Sequence, residues 1–284
     1  MYKRKFFAVA YTIMLLAFTV FITLDTFVIE KSYATLDTVS NTSENVDTDS
    51  ESTISINTYR QYDSDIYIAD IILGEDDSIY SALADNTYGS NITETTSSMA
   101  ESTGAALAIN GDFYGVQNSG YVIRNGELLR DTIKSDDQED LVIYEDGTMD
   151  IIQEGDISAD ELISDSAYNV WSFGPGLIED GEISVSGSDE TDGARSNTNP
   201  RTAIGYIDEN HYVFVVVDGR TDTSEGVTLY ELAEFMDSLG CTEAYNLDGG
   251  GSSTMYYDGE LVNTPTTNGS DTSEREVSDI VYIY

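Results

Sequence analysis

The chain has 284 residues, 40% of them hydrophobic, which is enough for one domain with a sizeable core. Asp and Glu number 53 against 12 Lys and Arg, giving a formal net charge of −41. A surface of this charge repels nucleic-acid phosphates, so composition argues against a nucleic-acid partner. The single cysteine, Cys241, excludes an intrachain disulfide framework.

The N-terminus has the pattern of an export signal. Basic residues 3–5 precede an apolar run over residues 6–24, which approaches the ~20 residues that span a bilayer. Residues 32–34 fit a small-x-small cleavage site. We therefore predict that residues 1–34 are a signal peptide or an uncleaved membrane anchor. Both place the protein at the cell surface or in the medium. Residues 35–58, rich in Ser, Thr, Asp, Asn and Glu, are predicted to be a flexible tether.

The folded domain is predicted to occupy residues 59–284. Its first half suggests a strand at 66–73, a helix at 92–102 and a short buried strand at 105–109. Several dipeptides that tolerate positive φ at both positions predict β-hairpins. They are Asn125-Gly126, Asp146-Gly147, Asp180-Gly181 and Asp258-Gly259.

The second half predicts a hairpin followed by a strand–helix–strand unit. Strands are expected at 204–207 and 212–217, the second almost wholly apolar and therefore central and buried on both faces. Thr228 and Glu231 form a capping box that starts a helix, and a strand follows at 241–247. This order favours a parallel pair between the strands on either side of the helix. The fold class is therefore predicted to be α+β, a single domain with a mixed, largely antiparallel sheet and a few packed helices.

Polar residues gather where the predicted buried strands end. Asp218 and Asp248 end the two strands of the expected parallel pair, and Asp112 follows the strand at 105–109. Ligands favour the crevice at the carboxyl ends of parallel strands. A partly buried carboxyl could protonate a leaving group, and an ionised one could act as nucleophile or stabilise an oxocarbenium ion. These three are the candidate catalytic residues, with Asp248 preferred as the acid or as a substrate-orienting group.

Two features near these carboxylates favour an anionic ligand. Arginine is scarce in this chain, so Arg201 and Arg220 beside strand ends are candidate phosphate clamps, with a structural ion pair as the alternative. The glycine run at 249–251 lets backbone N–H groups approach an anion, and Ser252 and Ser253 add hydroxyl donors.

Other chemistries find little support. The single histidine, His211, opens a strand after a turn, which weakens a Ser-His-Asp hydrolase or a zinc site. Cys241 between apolar segments is interpreted as a buried small hydrophobe. No cofactor is indicated, although a hard divalent cation such as Ca²⁺ on Asp and Asn oxygens stays open.

The order of several short motifs resembles the phosphodiester glycosidase family, over roughly residues 60–284. The motifs are residues 108–114, 172–175, 199–205, 218–220, 224–233, 246–253, 262–263 and 275–278. The resemblance implies hydrolysis of the bond between a sugar anomeric carbon and a phosphodiester, yielding a free sugar and a phosphomonoester. Bacterial members are associated with exopolysaccharide, so the implied partner is a phosphate-containing wall or capsular glycan.

The resemblance also implies a set of substrate-binding residues. They are Asn110, Arg201, Thr202, Arg220, Ser224, Asn246, Gly249, Gly250, Gly251, Ser252 and Ser253. Two alternatives stay open at this stage. One is a phosphodiesterase that cleaves P–O instead of C–O, and the other is a glycan-binding surface module without catalytic activity.

Overall fold

The computed structural model describes residues 2–35, 52–75, 77–186 and 197–284. Its helices are α1 Tyr2–Phe27, α2 Thr96–Thr103, α3 Ala159–Ser164 and α4 Leu229–Ser238. Its strands are β1 Lys31–Thr35, β2 Thr53–Gln61, β3 Ser64–Ile72, β4 Tyr80–Leu83, β5 Thr87–Ser90, β6 Leu107–Asn110, β7 Val122–Arg124, β8 Glu127–Arg130, β9 Glu139–Tyr144, β10 Met149–Gln153, β11 Ala167–Trp171, β12 Gly176–Glu179, β13 Glu182–Ile183, β14 Arg201–Asp208, β15 His211–Val217, β16 Glu243–Asn246, β17 Met255–Tyr257, β18 Glu260–Leu261 and β19 Asp279–Ile283.

The strands form three larger sheets and one two-stranded ribbon. A seven-stranded sheet has the order β13-β12-β16-β14-β15-β3-β2, and two five-stranded sheets have the orders β10-β9-β11-β7-β8 and β18-β17-β6-β19-β4. The ribbon pairs β1 with β5. Neighbouring strands in the described ranges run antiparallel throughout. The predicted α+β class with a largely antiparallel sheet is confirmed.

The expected parallel pairing on either side of α4 is wrong in one respect. β15 and β16 are not neighbours, because β14 lies between them and pairs antiparallel with both. Ala203 of β14 lies opposite Val215 on one side and Asn246 on the other. The tight turn after β14 returns β15 directly onto it, which leaves the other edge of β14 for β16. Since both run antiparallel to β14, their carboxyl ends still lie at the same edge of the sheet.

The central strand and its covering helix match their sequence patterns. Alternate residues of β15 face two different cores, Phe214 packing in one and Val215 in the other, and both are fully buried. α4 covers the second core, and its capping box is formed by Thr228 and Glu231. Gly240 follows the helix with φ 85°, a conformation that suits a residue without Cβ.

Most predicted strands are displaced by one to three residues at their ends, and two further boundary differences have a local structural cause. α2 begins at Thr96 instead of 92, because the side chain of Thr95 caps the backbone N–H of Ser98. β2 begins at Thr53 and pairs with β3, so the end of the predicted tether lies in the sheet. Residues 36–51 of that tether lie outside the described residues.

Three of the four predicted turns have positive φ at both central residues. They are Asn125-Gly126, Asp180-Gly181 and Asp258-Gly259. In the fourth, only Gly147 has positive φ, and the carboxylate of Asp146 accepts hydrogen bonds from Thr148. All four join antiparallel strands.

The end of α1 and the strand β1 that follows it contact the rest of the fold. β1 extends β5, and the side-chain amide of Asn91 donates to the carbonyls of Thr26 and Ile29 at the end of α1. Among the helices of the described residues, none combines the length and apolar character needed to cross a membrane.

A buried ion cluster joins the two five-stranded sheets. Arg124 at the end of β7 has no exposed surface. Its guanidinium lies 3.0 Å from the carboxylate of Asp112, which follows β6, and 2.9 Å from that of Asp279 in β19. The indole of Trp171 donates to Asp279 at 3.2 Å, and its ring lies 5.2 Å from the guanidinium. One cation therefore faces two buried carboxylates.

Burial, the charge of Asp112 and incomplete compensation by Arg124 raise the pKa of Asp279 to about 8. With one proton on this pair of carboxylates, the cluster as a whole is neutral. The neutral form of the cluster has the smallest desolvation penalty when these groups are buried.

Replacing Arg124 should cost far more stability than replacing an exposed arginine. Arg124→Met leaves two buried carboxylates without their cation, and we expect the free energy of unfolding to fall by about 3–5 kcal/mol. The control is Arg60→Met, whose guanidinium is half exposed and 3.1 Å from Asp65. It should change stability by about 1 kcal/mol or less. Urea unfolding followed by circular dichroism measures both. Equal effects would mean that the buried cluster does not stabilise the fold.

The shifted pKa of Asp279 predicts a pH dependence. Because its folded-state pKa lies above its unfolded value, its contribution to stability is complete below about pH 4 and is lost as the pH rises through about 8. In Asp279→Asn this dependence should be absent. The free energy of unfolding of the wild type should therefore fall relative to that of the variant as the pH rises from 4 to 8. A constant difference would contradict the protonated cluster.

Candidate active site

The site lies at the edge where β15 and β16 end. β16 leads into the loop 248–253, and Asp248 at its start is 7% exposed. Its Oδ1 accepts from the N–H of Gly249 at 2.8 Å, and its Oδ2 accepts from the hydroxyl of Ser252 at 2.7 Å and from Arg275 at 2.8 Å. Burial raises the pKa of Asp248, while the charge of Arg275 and the hydrogen bonds oppose that rise.

Asp218, at the end of β15, is bound by residues outside the loop. Its carboxylate accepts from the amide of Asn263 at 2.9 Å, from the N–H of Thr264 at 3.1 Å and from the hydroxyl of Tyr67 at 3.3 Å. Burial raises the pKa of Asp218 above its usual value. The same amide of Asn263 also donates to the carbonyl of Ser253 at 3.0 Å, which links Asp218 to the loop that carries Asp248.

Asn110 and Thr202 lie beneath the loop and are fully buried. The amide of Asn110 donates to the carbonyl of Asp248 at 2.6 Å, and its oxygen accepts from the hydroxyl of Thr202 at 2.8 Å. The N–H of Thr254 donates to the same oxygen. Both residues were predicted to bind substrate. Their geometry in the structure is that of residues that hold the loop in place.

The glycines of the loop allow close packing by other parts of the chain. A Cβ on Gly249 would lie 2.8 Å from the carbonyl oxygen of Pro200, and one on Gly250 would lie 2.8 Å from Nη2 of Arg220. A Cβ on Gly251 would overlap the hydroxyl of Thr267. Four of the five N–H groups from Gly249 to Ser253 donate within the protein. The predicted anion nest is therefore occupied by the chain's own acceptors.

Two predicted arginines lie beside this loop. Arg220 is exposed, has φ 66°, and donates to the carbonyl of Thr267 at 2.8 Å and to Asn199 at 3.1 Å. Arg201 is 9% exposed and donates to the carbonyl of Val227 at 3.1 Å. Burial and the positive charge of Arg220 lower the pKa of Arg201 to about 10. The two cations therefore repel each other.

Ser224, Ser253 and Asn246 complete the predicted set. The hydroxyl of Ser224 donates to the carbonyl of Asp218 at 2.8 Å and is buried. Ser253 is buried and its carbonyl accepts from Asn263. The amide of Asn246 donates to the carbonyl of Gly174 at 2.8 Å. Asn246 also lines a cavity of about 660 Å³ beside the loop, together with Gln138, Glu139, Phe173 and Arg201.

Asp112 is placed apart from the other two candidate carboxylates. It belongs to the buried cluster with Arg124, and its Oδ2 also accepts from the N–H of Ser172 at 3.1 Å. Asp112 is linked to the loop through the backbone of the preceding residue, because the N–H of Asp248 donates to the carbonyl of Gly111 at 3.3 Å. The side chain of Asp112 therefore belongs to the buried cluster next to the site, and its hydrogen bonds go to residues outside the loop.

Arg275 and Asn263 contact the candidate carboxylates directly, although the sequence did not predict either as a site residue. Both lie within motifs that carried the family resemblance, residues 262–263 and 275–278. That signal was available, but only the fold shows which carboxylate each one contacts. In the described part of the chain, no group of three or more His, Cys, Asp or Glu side chains is arranged to hold a metal ion.

Two curated proteins match this chain over about two thirds of its length. SPbeta prophage-derived uncharacterized protein YomE of Bacillus subtilis is 35% identical over 203 residues, covering 69% of this chain and 30% of that protein. N-acetylglucosamine-1-phosphodiester alpha-N-acetylglucosaminidase of Mus musculus is 29% identical over 200 residues, covering 64% of this chain and 38% of the enzyme. The chain thus spans well under half the length of these relatives.

Solved structures share the fold. The catalytic domain of the zebrafish N-acetylglucosamine-1-phosphodiester alpha-N-acetylglucosaminidase, auto-inhibited by its pro-peptide, superposes with a TM-score of 0.65 at 22% identity, over 90% of this chain and 88% of that one. A hypothetical protein from Synechocystis gives a TM-score of 0.56 at 15% identity, over 82% and 62% of the two chains. The model of the phosphodiester glycosidase family matches residues 103–284, more than half of the sequence, and the chain belongs to that family.

Proposed function

We propose that this protein hydrolyses the glycosidic bond of a sugar-1-phosphodiester in a cell-surface or extracellular glycan. The observation that carries this proposal is the gathering of Arg201, Arg220 and Arg275 around one loop with two buried carboxylates. The whole chain has only 12 basic side chains against 53 acidic ones. Three of those few cations at one site favour an anionic ligand.

A phosphate would stabilise this arrangement. Two guanidinium groups close enough for one to lower the pKa of the other raise the energy of the unliganded site. A phosphate oxygen accepting from Arg220 or Arg201 reduces that repulsion and adds charge-assisted hydrogen bonds. Asp218 and Asp248 provide the carboxylates that act on the sugar side of the bond.

The N-terminal pattern supports an extracellular setting. A basic segment before an apolar run supports export, with residues 1–34 as a signal peptide or anchor. Outside the cell, phosphate-containing wall or capsular glycans would supply the substrate. The names of the relatives support the reaction class, since the mouse enzyme acts on an N-acetylglucosamine-1-phosphodiester.

A screen of the purified protein against sugar-1-phosphodiesters tests the proposal. Hydrolysis in ¹⁸O-labelled water should place the label in the anomeric hydroxyl of the released sugar. Label in the phosphate would mean P–O cleavage and hence a phosphodiesterase. Retention of a phosphoglycan without turnover, across a range of pH and added metals, would mean a binding module.

The two arginines flanking the loop should matter more for turnover than for folding. In Arg220→Ala and Arg201→Ala, loss of charge-assisted bonds to the phosphate should lower kcat/KM by about 10- to 150-fold, or about 1.5–3 kcal/mol each. Arg60→Ala, an exposed arginine on β2, is the control and should keep its rate. Unchanged kinetics with a lowered Tm in the first two variants would show that these arginines are structural.

A further inference from the structure

Arg275 holds the loop that carries Asp248. Its guanidinium donates through Nη2 to Asp248 at 2.8 Å and to the carbonyl of Gly249 at 3.0 Å, and through Nε to Ser252 at 2.8 Å. The planar group lies 6.0 Å from the ring of Phe113. Three loop groups are therefore fixed by one rigid fork, which lysine could not reproduce.

All hydrogen-bond partners found at the carboxylate of Asp248 are donors. They are the N–H of Gly249, the hydroxyl of Ser252 and the guanidinium of Arg275. The Ser252 hydroxyl donates its hydrogen to Asp248, and its oxygen accepts from Arg275. A protonated carboxyl needs an acceptor for its own hydrogen, and none of these groups provides one. The geometry fits an ionised carboxylate.

Asp218 has the same kind of environment without a cation. Its partners are the amide of Asn263, the N–H of Thr264 and the hydroxyl of Tyr67. Burial and the nearby charge of Asp218 raise the pKa of Tyr67 to about 12, so this hydroxyl keeps its proton and donates. Burial and the charge of Asp65 act against ionisation of Asp218, and the three donors favour it. Neither carboxylate is hydrogen-bonded as a proton donor.

The leaving group makes a proton donor unnecessary. When the C–O bond of a sugar-1-phosphodiester breaks, the electron pair goes to a phosphate oxygen. The departing phosphomonoester has a second pKa of about 6, so it leaves as a stable dianion at neutral pH. An alcohol leaving group, in contrast, is strongly basic and needs an acid catalyst. Cations at the phosphate can supply the stabilisation that a general acid supplies in ordinary glycosidases.

We propose that Arg275 is a positioning residue that holds Asp248 as a carboxylate, and that this site cleaves the sugar–phosphate bond without a general acid. This inference rests on the proposed function. The C–O bond breaks with its electron pair on phosphate, and the oxygen of a water bonds to the anomeric carbon. Asp248 takes the proton that the water releases and passes it to solvent. Diester monoanion and water thus give free sugar, phosphomonoester dianion and one proton.

The substrate class follows from this chemistry. Sugars joined to an acidic leaving group, such as a phosphodiester, are substrates. Methyl glycosides and oligosaccharides of the same sugar are not, because neither Asp248 nor Asp218 is hydrogen-bonded as a proton donor for a departing alkoxide.

Arg275→Gln tests the positioning role without relying on turnover. Removal of a cation 2.8 Å from Asp248 should raise the pKa of that carboxyl by about 1–3, measured by ¹³C NMR and assigned by comparison with Asp248→Asn. The acidic limb of the pH–rate profile should move up with it, while KM changes little. Arg275→Lys keeps the charge but lacks the planar fork. It should therefore return the acidic limb of the profile towards that of the wild type, while the rate is restored less. Arg60→Gln should change neither. An unchanged Asp248 pKa in a folded Arg275→Gln protein would overturn the role.

The absence of a general acid has its own test. A glycosyl fluoride loses its leaving group without protonation, so an acid-catalyst variant keeps its rate on the fluoride and loses it on the phosphodiester. We expect Asp248→Asn to lose about 10²–10⁴ in rate on both substrates. Retention of the fluoride rate, or hydrolysis of methyl glycosides by the wild type, would overturn the inference. If the wild type cleaves no sugar-1-phosphodiester, the proposed function fails, whereas the NMR result decides the role of Arg275 by itself.

Discussion

The guanidinium of Arg124 joins elements that are distant in sequence. It binds Asp112 after β6 and Asp279 in β19, two strands that neighbour each other in one sheet, while Arg124 itself ends β7 of another sheet. Charges this deeply buried are tolerated only when their partners are placed with accuracy, because desolvation costs several kcal/mol per ion. The cluster therefore fixes how the two sheets face each other. Asn110 lies two residues from Asp112 and donates to the carbonyl of Asp248, which connects this cluster to the loop.

Local patterns predicted the elements that are regular in themselves. The apolar run of β15, the capping box of α4 and three of the four positive-φ turns depend on neighbours in sequence, and the structure has them where expected. The choice of strand partner is different. Placing β14 between β15 and β16 depends on which edge stays open after the hairpin closes, and nothing in the residues of β16 encodes that. The same holds for Asp112, whose role depends on Arg124, a residue of another sheet.

The glycine run shows where residue chemistry is ambiguous. Three glycines after a buried strand indicate that something approaches the backbone closely, and this much was predictable. In the structure, the approaching groups are the carbonyl of Pro200, the guanidinium of Arg220 and the hydroxyl of Thr267. A tightly packed loop with occupied N–H groups cannot move easily. That rigidity suits the role proposed for Asp248, because the carboxylate at the start of the loop keeps its orientation without substrate.

In the proposed reaction, the charge of the whole chain and the charge of the site act in opposite directions. The substrate diester would carry one negative charge, and its phosphomonoester product about two at neutral pH. Local arginines would stabilise the charge that develops as the bond breaks, at contact distances where salt screens little. At longer range, a net charge of −41 repels a dianion more strongly than a monoanion. The same protein can therefore favour bond cleavage at the loop and departure of the product from its surface.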